Sequence, residues 1–320
     1  MSQVSLITLT KGIATFVPGV NKLATRRTSG TSSARYCYSV WMRHLAAARA
    51  VGAPWPVKAV AELGPGDSIG SGLSAILSGA QSYIGLDGFA FAAASSTLEI
   101  FEELVSLFKA RAPIPNPDEF PDIWPRVDSY DFPHDLLTES LLSEALDPSR
   151  LEAIRKALRG GLKSDSGQDG AGVTVRYAAP WYAKEVMREN SVDMIFSQAV
   201  MEHVDNVIET YQSARRWIKT GGFMSQTIDY SSHRFTRDWY GHWTLSRPMW
   251  RMVAGRRKYT INRWPHSAHL KAMETTGFRI IGESVMRDAA LERAHLAPEF
   301  RDLTDVDLAA HAAFIQTLAV

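Results

Sequence analysis

Val57-Lys58-Ala59-Val60-Ala61-Glu62-Leu63-Gly64-Pro65-Gly66-Asp67-Ser68-Ile69-Gly70-Ser71-Gly72 is the stretch whose reading decides the fold. The apolar run 57–63 predicts a buried strand, and the periodicity after it predicts a helix over 70–79. Glycine stands where the strand must turn sharply into that helix. It permits positive φ and lets a ligand approach the backbone with no Cβ in the way. A second strand at 82–86 ends in Ile84-Gly85-Leu86-Asp87-Gly88. An acid at such a tip, about 20 residues beyond the glycines, suits the two ribose hydroxyls of an adenosine ligand. The alternative is a tight turn that holds no ligand.

Outward from this stretch, strand and helix signals alternate. Helices are expected at 88–109 and 205–218, and strands at 172–177, 192–197 and 222–228, with late strands at 278–285 and 312–319. The alternation predicts an α/β, Rossmann-like, mostly parallel seven-stranded sheet with helices on both faces. Strands two and three lie roughly 85 residues apart, far more than one crossover helix needs. Within that gap, Pro113, Pro115, Pro117, Pro121, Pro125 and Pro133 exclude regular structure over 111–133. Residues 134–160 return to helical patterning, and 161–171 read as a Gly/Ser/Asp loop. Residues 90–170 are therefore expected to form an inserted helical cap, and 229–277 a second insertion on the acceptor side. Both belong above the carboxyl ends of the strands, where open α/β sheets bind ligands.

Residues 1–30 read as irregular and end in a Ser/Thr turn over 26–33 that supplies a helix N-cap. Tyr36, Cys37, Val40, Trp41, Leu45 and Ala48 then fall at helical spacing over 34–49. The expected division is an N-terminal helical segment, 1–56, covering the cofactor site, and a main domain, 57–320.

Of the 320 residues, 45% are hydrophobic and 22% charged, which suits a globular chain with a large core. The formal net charge of +1 gives no general attraction to nucleic acid or acidic membranes. The basic cluster Arg251 to Lys258 is short and interleaved with apolar residues, so it reads as a solvated helix face or a local anion contact. Cys37 is the only cysteine, which excludes intramolecular disulfides and multi-cysteine metal sites; it reads as a buried thiol. No run approaches the ~20 apolar residues of a bilayer span, and the N-terminus lacks a secretory pattern. A cytoplasmic protein with a small-molecule or glycan acceptor, and no nucleic-acid partner, is expected. No metal spacing stands out, so no metal is expected, although scattered Asp and His can still converge in three dimensions.

Dinucleotides favour G-x-G-x-x-G, which leaves the helix N-terminus open to a pyrophosphate. Here the turn reads G-P-G-D-S-I-G, and Asp67 would repel that group. Acids at 62 and 67 suit a ligand with a positive centre and an amino group, as in S-adenosylmethionine. The residues then resemble class I S-adenosylmethionine-dependent methyltransferases. Glu62-Leu63-Gly64-Pro65-Gly66 is similar to their first motif, and Asp87 to their ribose-binding acid. Val192-Asp193-Met194-Ile195-Phe196-Ser197-Gln198-Ala199-Val200-Met201-Glu202-His203-Val204 resembles their fourth strand and the loop after it. Trp217-Ile218-Lys219-Thr220-Gly221-Gly222-Phe223 resembles the turn into the fifth, with Thr220 in place of a proline. The resemblance implies S-adenosylmethionine as cofactor and S-adenosylhomocysteine as product. It assigns cofactor contacts to Glu62, Gly64, Pro65, Gly66, Asp87, Gly88, Ser197 and Gln198. One departure is the tip of strand three, Arg176-Tyr177-Ala178-Ala179-Pro180-Trp181, which lacks the acid many relatives place against adenine. Adenine recognition is accordingly expected from backbone groups and from Pro180 or Trp181.

After strand five the chain is rich in polar aromatics and histidine: Ile228-Asp229-Tyr230-Ser231-Ser232-His233, Trp239-Tyr240-Gly241-His242-Trp243 and Asn262-Arg263. These resemble a bacterial methyltransferase subgroup associated with surface-polysaccharide biosynthesis, which implies a sugar or glycan hydroxyl as acceptor. A hydroxyl needs a base, and histidine is the usual choice. His233, which Asp229 can orient, is the first candidate, then His242 in its aromatic setting, with His203 beside Glu202. Each could equally be a surface or core histidine. A small natural product or carboxylate is the competing acceptor, a nicotinamide-dependent dehydrogenase the competing enzyme, and a non-catalytic cofactor-binding interaction module the competing class.

Overall fold

The computed structural model describes residues 3–18, 30–92, 94–160, 168–170, 172–181, 186–257, 260–288 and 292–320. The turn residues 26–29 and most of the loop expected over 161–171 lie outside the described residues. Eight strands form one mixed sheet: β1 Ala59–Leu63, β2 Ser82–Leu86, β3 Gln168–Gly170, β4 Val173–Ala178, β5 Val192–Gln198, β6 Ile218–Asp229, β7 Phe278–Arg287 and β8 Ala310–Ala319. Their order is β3-β4-β2-β1-β5-β6-β8-β7. The sheet is thus one strand wider than expected, because β3 pairs antiparallel with β4 inside the expected loop. β8 also runs against its neighbours β6 and β7, so the sheet is mixed.

The inner strands are apolar on both faces, as strands covered by helices on both sides must be. One face carries Val60, Tyr83, Val175, Met194, Phe196 and Phe223. It is covered by α2 Ala34–Ala50, α3 Gly70–Leu77, α4 Ala94–Lys109, α5 Glu139–Ala145 and α6 Pro148–Arg159. The other face carries Ala61, Leu63, Ile84, Ile195, Met224 and Ile228. It is covered by α7 Val207–Trp217 and α9 His266–Thr275. Close packing explains a helical glycine: a Cβ on Gly72 of α3 would stand 1.9 Å from the Tyr83 ring of β2.

Three expectations change. Residues 1–30, read as irregular, contain α1 Leu6–Ala14, capped by Ser5. The helical patterning of 134–160 resolves into α5 and α6, broken at Asp147-Pro148, where Asp147 caps α6 and Pro148 opens it. The long connection between β2 and β4 is not a cap in its helical parts, because α4, α5 and α6 join α2 and α3 in the layer on one face. Its proline-rich stretch reaches the carboxyl edge, where Thr227 Oγ1 of β6 donates to the Trp124 carbonyl at 3.3 Å. The second insertion contributes α8 Arg247–Ala254, which packs on α1, and α9, which belongs to the face layer. Among the described residues, no helix is long and apolar enough to cross a membrane.

Candidate active site

Parallel register decides which residues meet. Leu63 pairs with Leu86 and Ser197, Leu86 with Ala178, and Ser197 with Gln226. The residues that follow these partners therefore emerge side by side at the carboxyl edge: Gly64-Pro65-Gly66, Asp87-Gly88, Ala179-Pro180 and Ala199-Val200.

The glycine turn takes the positive φ that glycine permits, +64° at Gly64 and +77° at Gly66. At Gly64 the close neighbour is a protein side chain: a Cβ there would sit 2.6 Å from Val200. Asp87 lies against the turn, 7% exposed. Its Oδ2 accepts from the Gly66 amide at 3.3 Å and its Oδ1 from Phe89 at 3.4 Å. Burial raises its carboxyl to about 6, against the pull of the Phe89, Gly66 and Gly88 amides. Thr31 Oγ1 accepts from the Asp67 amide at 2.9 Å, and the Thr31 carbonyl accepts from Ser68 Oγ. The entry to α2 is thereby docked on the turn.

Several expected contacts have other partners. Glu62 faces the α2 and α3 layer, where the Tyr83 hydroxyl donates to it at 2.6 Å. Burial pushes its carboxyl up to about 8. Gln198 Oε1 lies 3.1 Å from His44 Nε2, and His44 Nδ1 lies 2.7 Å from Ser225 Oγ. Trp181 stands edge-on to Trp217 of α7, with centroids 6.0 Å apart, so its ring belongs to that layer. Its amide donates to the Asp87 carbonyl at 3.1 Å. Pro180 is exposed at the β4 tip. Phe89 and Phe91, half-buried just after Asp87, were missed; no spacing rule marks them, only their position after the acid-tipped strand.

At the tip of β6 a cavity of about 410 Å³ is lined by Asp229, Ser231, His233, Arg237, Trp239 and His311, among others. His233 Nε2 is 3.1 Å from Asp229 Oδ2 and 4.0 Å from Glu202 Oε1. The Ser231 amide donates to Asp229 at 2.7 Å. The His233 partnership holds Asp229 down at about 2 despite burial. His233 and Arg234 both take positive φ, +48° and +66°, strain of the kind that clusters at functional turns. The His203 ring meets the His233 ring edge-on at 4.8 Å, and its Nδ1 lies 3.4 Å from the Thr260 carbonyl. Glu202, His203 and His233 offer ligand atoms within 4.8 Å of one another. A possible cation site thus assembles where the linear spacing shows none.

His242 departs from its expected role. It is 1% exposed, burial lowers it to about 3, and its ring lies against Trp243, itself wholly buried. It is a core residue. Of the expected aromatic platform, Trp239 reaches the cavity wall, stacked on His311 at 5.0 Å. The Asn262-Arg263 pair is a joint: Asn262 Nδ2 donates to the Met201 and Val204 carbonyls, and Arg263 Nη1 to those of His242 and Leu245. It ties the acceptor-side segment to the turn after β5. Buried polar atoms without a hydrogen-bond partner gather near this edge: Ser197 Oγ, both Glu202 oxygens, the Gln226 amide and His233 Nε2. Such atoms need an explanation, and a bound ligand is one.

Residues 170–225 match the protein family described as Methyltransferase domain. No curated protein matches the chain in sequence. Among solved structures, the chain resembles an S-adenosylmethionine-dependent methyltransferase from Mesorhizobium loti at 11% identity and a TM-score of 0.40, covering 85% of this chain and 95% of that one. It also resembles phosphoethanolamine N-methyltransferase 2 of Haemonchus contortus, solved with S-adenosyl-L-methionine, at 14% identity and a TM-score of 0.42, covering 89% and 56%. Overlaps of that extent identify no function.

Proposed function

We propose that this chain is an S-adenosylmethionine-dependent methyltransferase that methylates a hydroxyl of a sugar or glycan intermediate. One observation carries the reading: register sets the glycine turn with Asp87 and the Asp229–His233 pair on the same sheet edge. The match over 170–225 supports methyl transfer. The donor set suits the cofactor: Asp87 offers a buried carboxylate to ribose hydroxyls at the glycine turn. When bound, the cofactor supplies an electrophilic methyl, its S–CH₃ bond breaking as the acceptor O–CH₃ bond forms in line.

The chain's own part is orientation and proton removal. His233 would take the acceptor's proton, and the Asp229 carboxylate, 3.1 Å from Nε2, would stabilise the imidazolium that results. Trp239 offers an apolar wall for a sugar ring. A second reading is favoured by Glu202, whose buried carboxylate lacks a partner. A divalent cation held by Glu202, His203 and His233 Nε2 would lower the pKa of a bound hydroxyl instead.

The test offers methyl-labelled cofactor with nucleotide-sugars, glycan extracts, small phenols and carboxylates. The expected product carries label in an ether on a sugar. His233→Ala should lower turnover by about 10² to 10⁴-fold while S-adenosylhomocysteine affinity stays unchanged. Label on nitrogen, carbon or carboxylate removes the acceptor assignment, and retained turnover removes the base. Loss of turnover in EDTA, restored by Mn²⁺ or Mg²⁺, selects the second reading.

A further inference from the structure

Nine large apolar side chains are exposed among the described residues, and six of them lie on one small lobe. Leu6, Ile7, Ile13 and Val17 are on or just beyond α1, and Met249 and Met252 are on α8. Leu6 and Ile7 are 82% and 67% exposed. Leu6, Thr10 and Ile13 fall at helical spacing and form one outward stripe. The opposite side of α1 is pressed onto α8: a Cβ on Gly12 would stand 2.2 Å from the Met252 carbonyl oxygen, and the Arg256 amide donates to Thr15 Oγ1 at 2.7 Å.

The same lobe is cationic. Lys11, Arg247, Arg251 and Arg256 are exposed on it. No Asp or Glu precedes Glu62 in the chain, and none lies between Asp238 and Glu274. Apolar side chains interleaved with cations are the composition of an interfacial helix face. A second copy of the chain is disfavoured as occupant, because a two-fold contact would set one cationic face against another.

We propose that the outer face of the α1–α8 pair docks on an anionic lipid bilayer, its apolar side chains entering the interface and its cations meeting the headgroup phosphates. The lobe is continuous with the cavity wall. Gln3 Nε2 donates to Asp238 at 2.8 Å, and the Gln3 carbonyl accepts from the amide of Arg237, a cavity residue, at 2.7 Å. Docking therefore holds the cavity beside the lipid surface. If the methyltransferase reading holds, the acceptor is one presented there, a glycan on a lipid carrier.

Flotation of the full chain with vesicles tests this. Phosphatidylcholine vesicles containing about one third phosphatidylglycerol should carry the protein at low salt, and phosphatidylcholine alone should not. Raising the salt to about 0.5 M should release it. Ile7→Asp and Arg251→Glu should each weaken binding by about fivefold or more, with circular dichroism and S-adenosylhomocysteine affinity unchanged. Absence of flotation, or equal flotation on neutral vesicles, overturns the proposal. So does a concentration-dependent dimer that Arg251→Glu abolishes. Should a variant fail to fold, the salt titration of the unaltered chain decides. Because cofactor affinity is measured on the same preparation, failure to dock is distinguishable from failure of the methyltransferase reading.

Discussion

Asp87 and Glu62, acids of two neighbouring strands, differ in what they face. Asp87 sits at the edge with its oxygens turned to the glycine turn; in the proposed complex, charge-assisted hydrogen bonds from ribose hydroxyls would contribute about 1.5–3 kcal/mol each. Asp87→Ala should weaken S-adenosylhomocysteine by tenfold or more in calorimetry; unchanged affinity would put the cofactor elsewhere. Glu62 is one residue inside the strand, and strand alternation sends its carboxyl into the helix layer beside Tyr83. Its carboxyl stands at about 8 folded, against an ordinary 4.5. Between those values the folded protein binds more protons than the unfolded chain, so Glu62's contribution to stability falls as pH rises through that window. Glu62→Gln keeps an acceptor for Tyr83 and removes the titration. The thermal midpoint of the cofactor-free variant should change less than the parent's between about pH 5 and about pH 8; an unaltered profile would show that Glu62 is already ionised. Both acids were legible in the sequence as motif members. Which one faces the ligand was not, because that depends on strand pairing and on what covers each face.

Among the elements, α2 shows why periodicity underestimates burial. Its spacing identifies the helix, but Trp41, Met42, Arg43 and His44 are all buried, so no side of that turn is solvated. The proline-rich stretch, which forms no regular structure, runs along it instead. Arg43 donates to the Ile123 and Pro115 carbonyls and stands over the Tyr130 ring at 5.2 Å. Ser39 donates to the Pro115 carbonyl at 3.3 Å and the Tyr38 hydroxyl to that of Ala112 at 2.6 Å. Removing Arg43 leaves carbonyls buried without donors, at about 1–3 kcal/mol each. Arg43→Ala should destabilise the protein by about 3 kcal/mol in denaturant melts and open 111–133 to proteolysis first. Equal resistance across the chain would mean the segment is held by other contacts. Residues 134–160 were legible only as one helical stretch, although the break at Asp147-Pro148 carries a cap followed by a proline. The outward-facing α1 was not legible, because a helix with its apolar stripe in solvent violates the pattern by which helices are recognised.

For the whole molecule, ligand linkage reads the cofactor assignment directly. S-adenosylhomocysteine at 100 times its Kd should raise stability by about 2.7 kcal/mol, and NAD should not; stabilisation by NAD alone would sink the reading. Net charge is an equally global quantity and a poor guide here, since +1 averages over a cationic lobe and acids that lie elsewhere. The sequence by itself determined the alternating αβ chain and the glycine turn with its acid-tipped partner strand. These are local matters, decided by residues a few positions apart whose backbone preferences and apolar spacing act before any long-range contact forms. Only the tertiary structure decided that Glu202, His203, Asp229 and His233 converge, that His242 is core, and that the long β2–β4 connection joins a face layer. Those depend on strand order and on packing between segments tens of residues apart, which no local preference encodes.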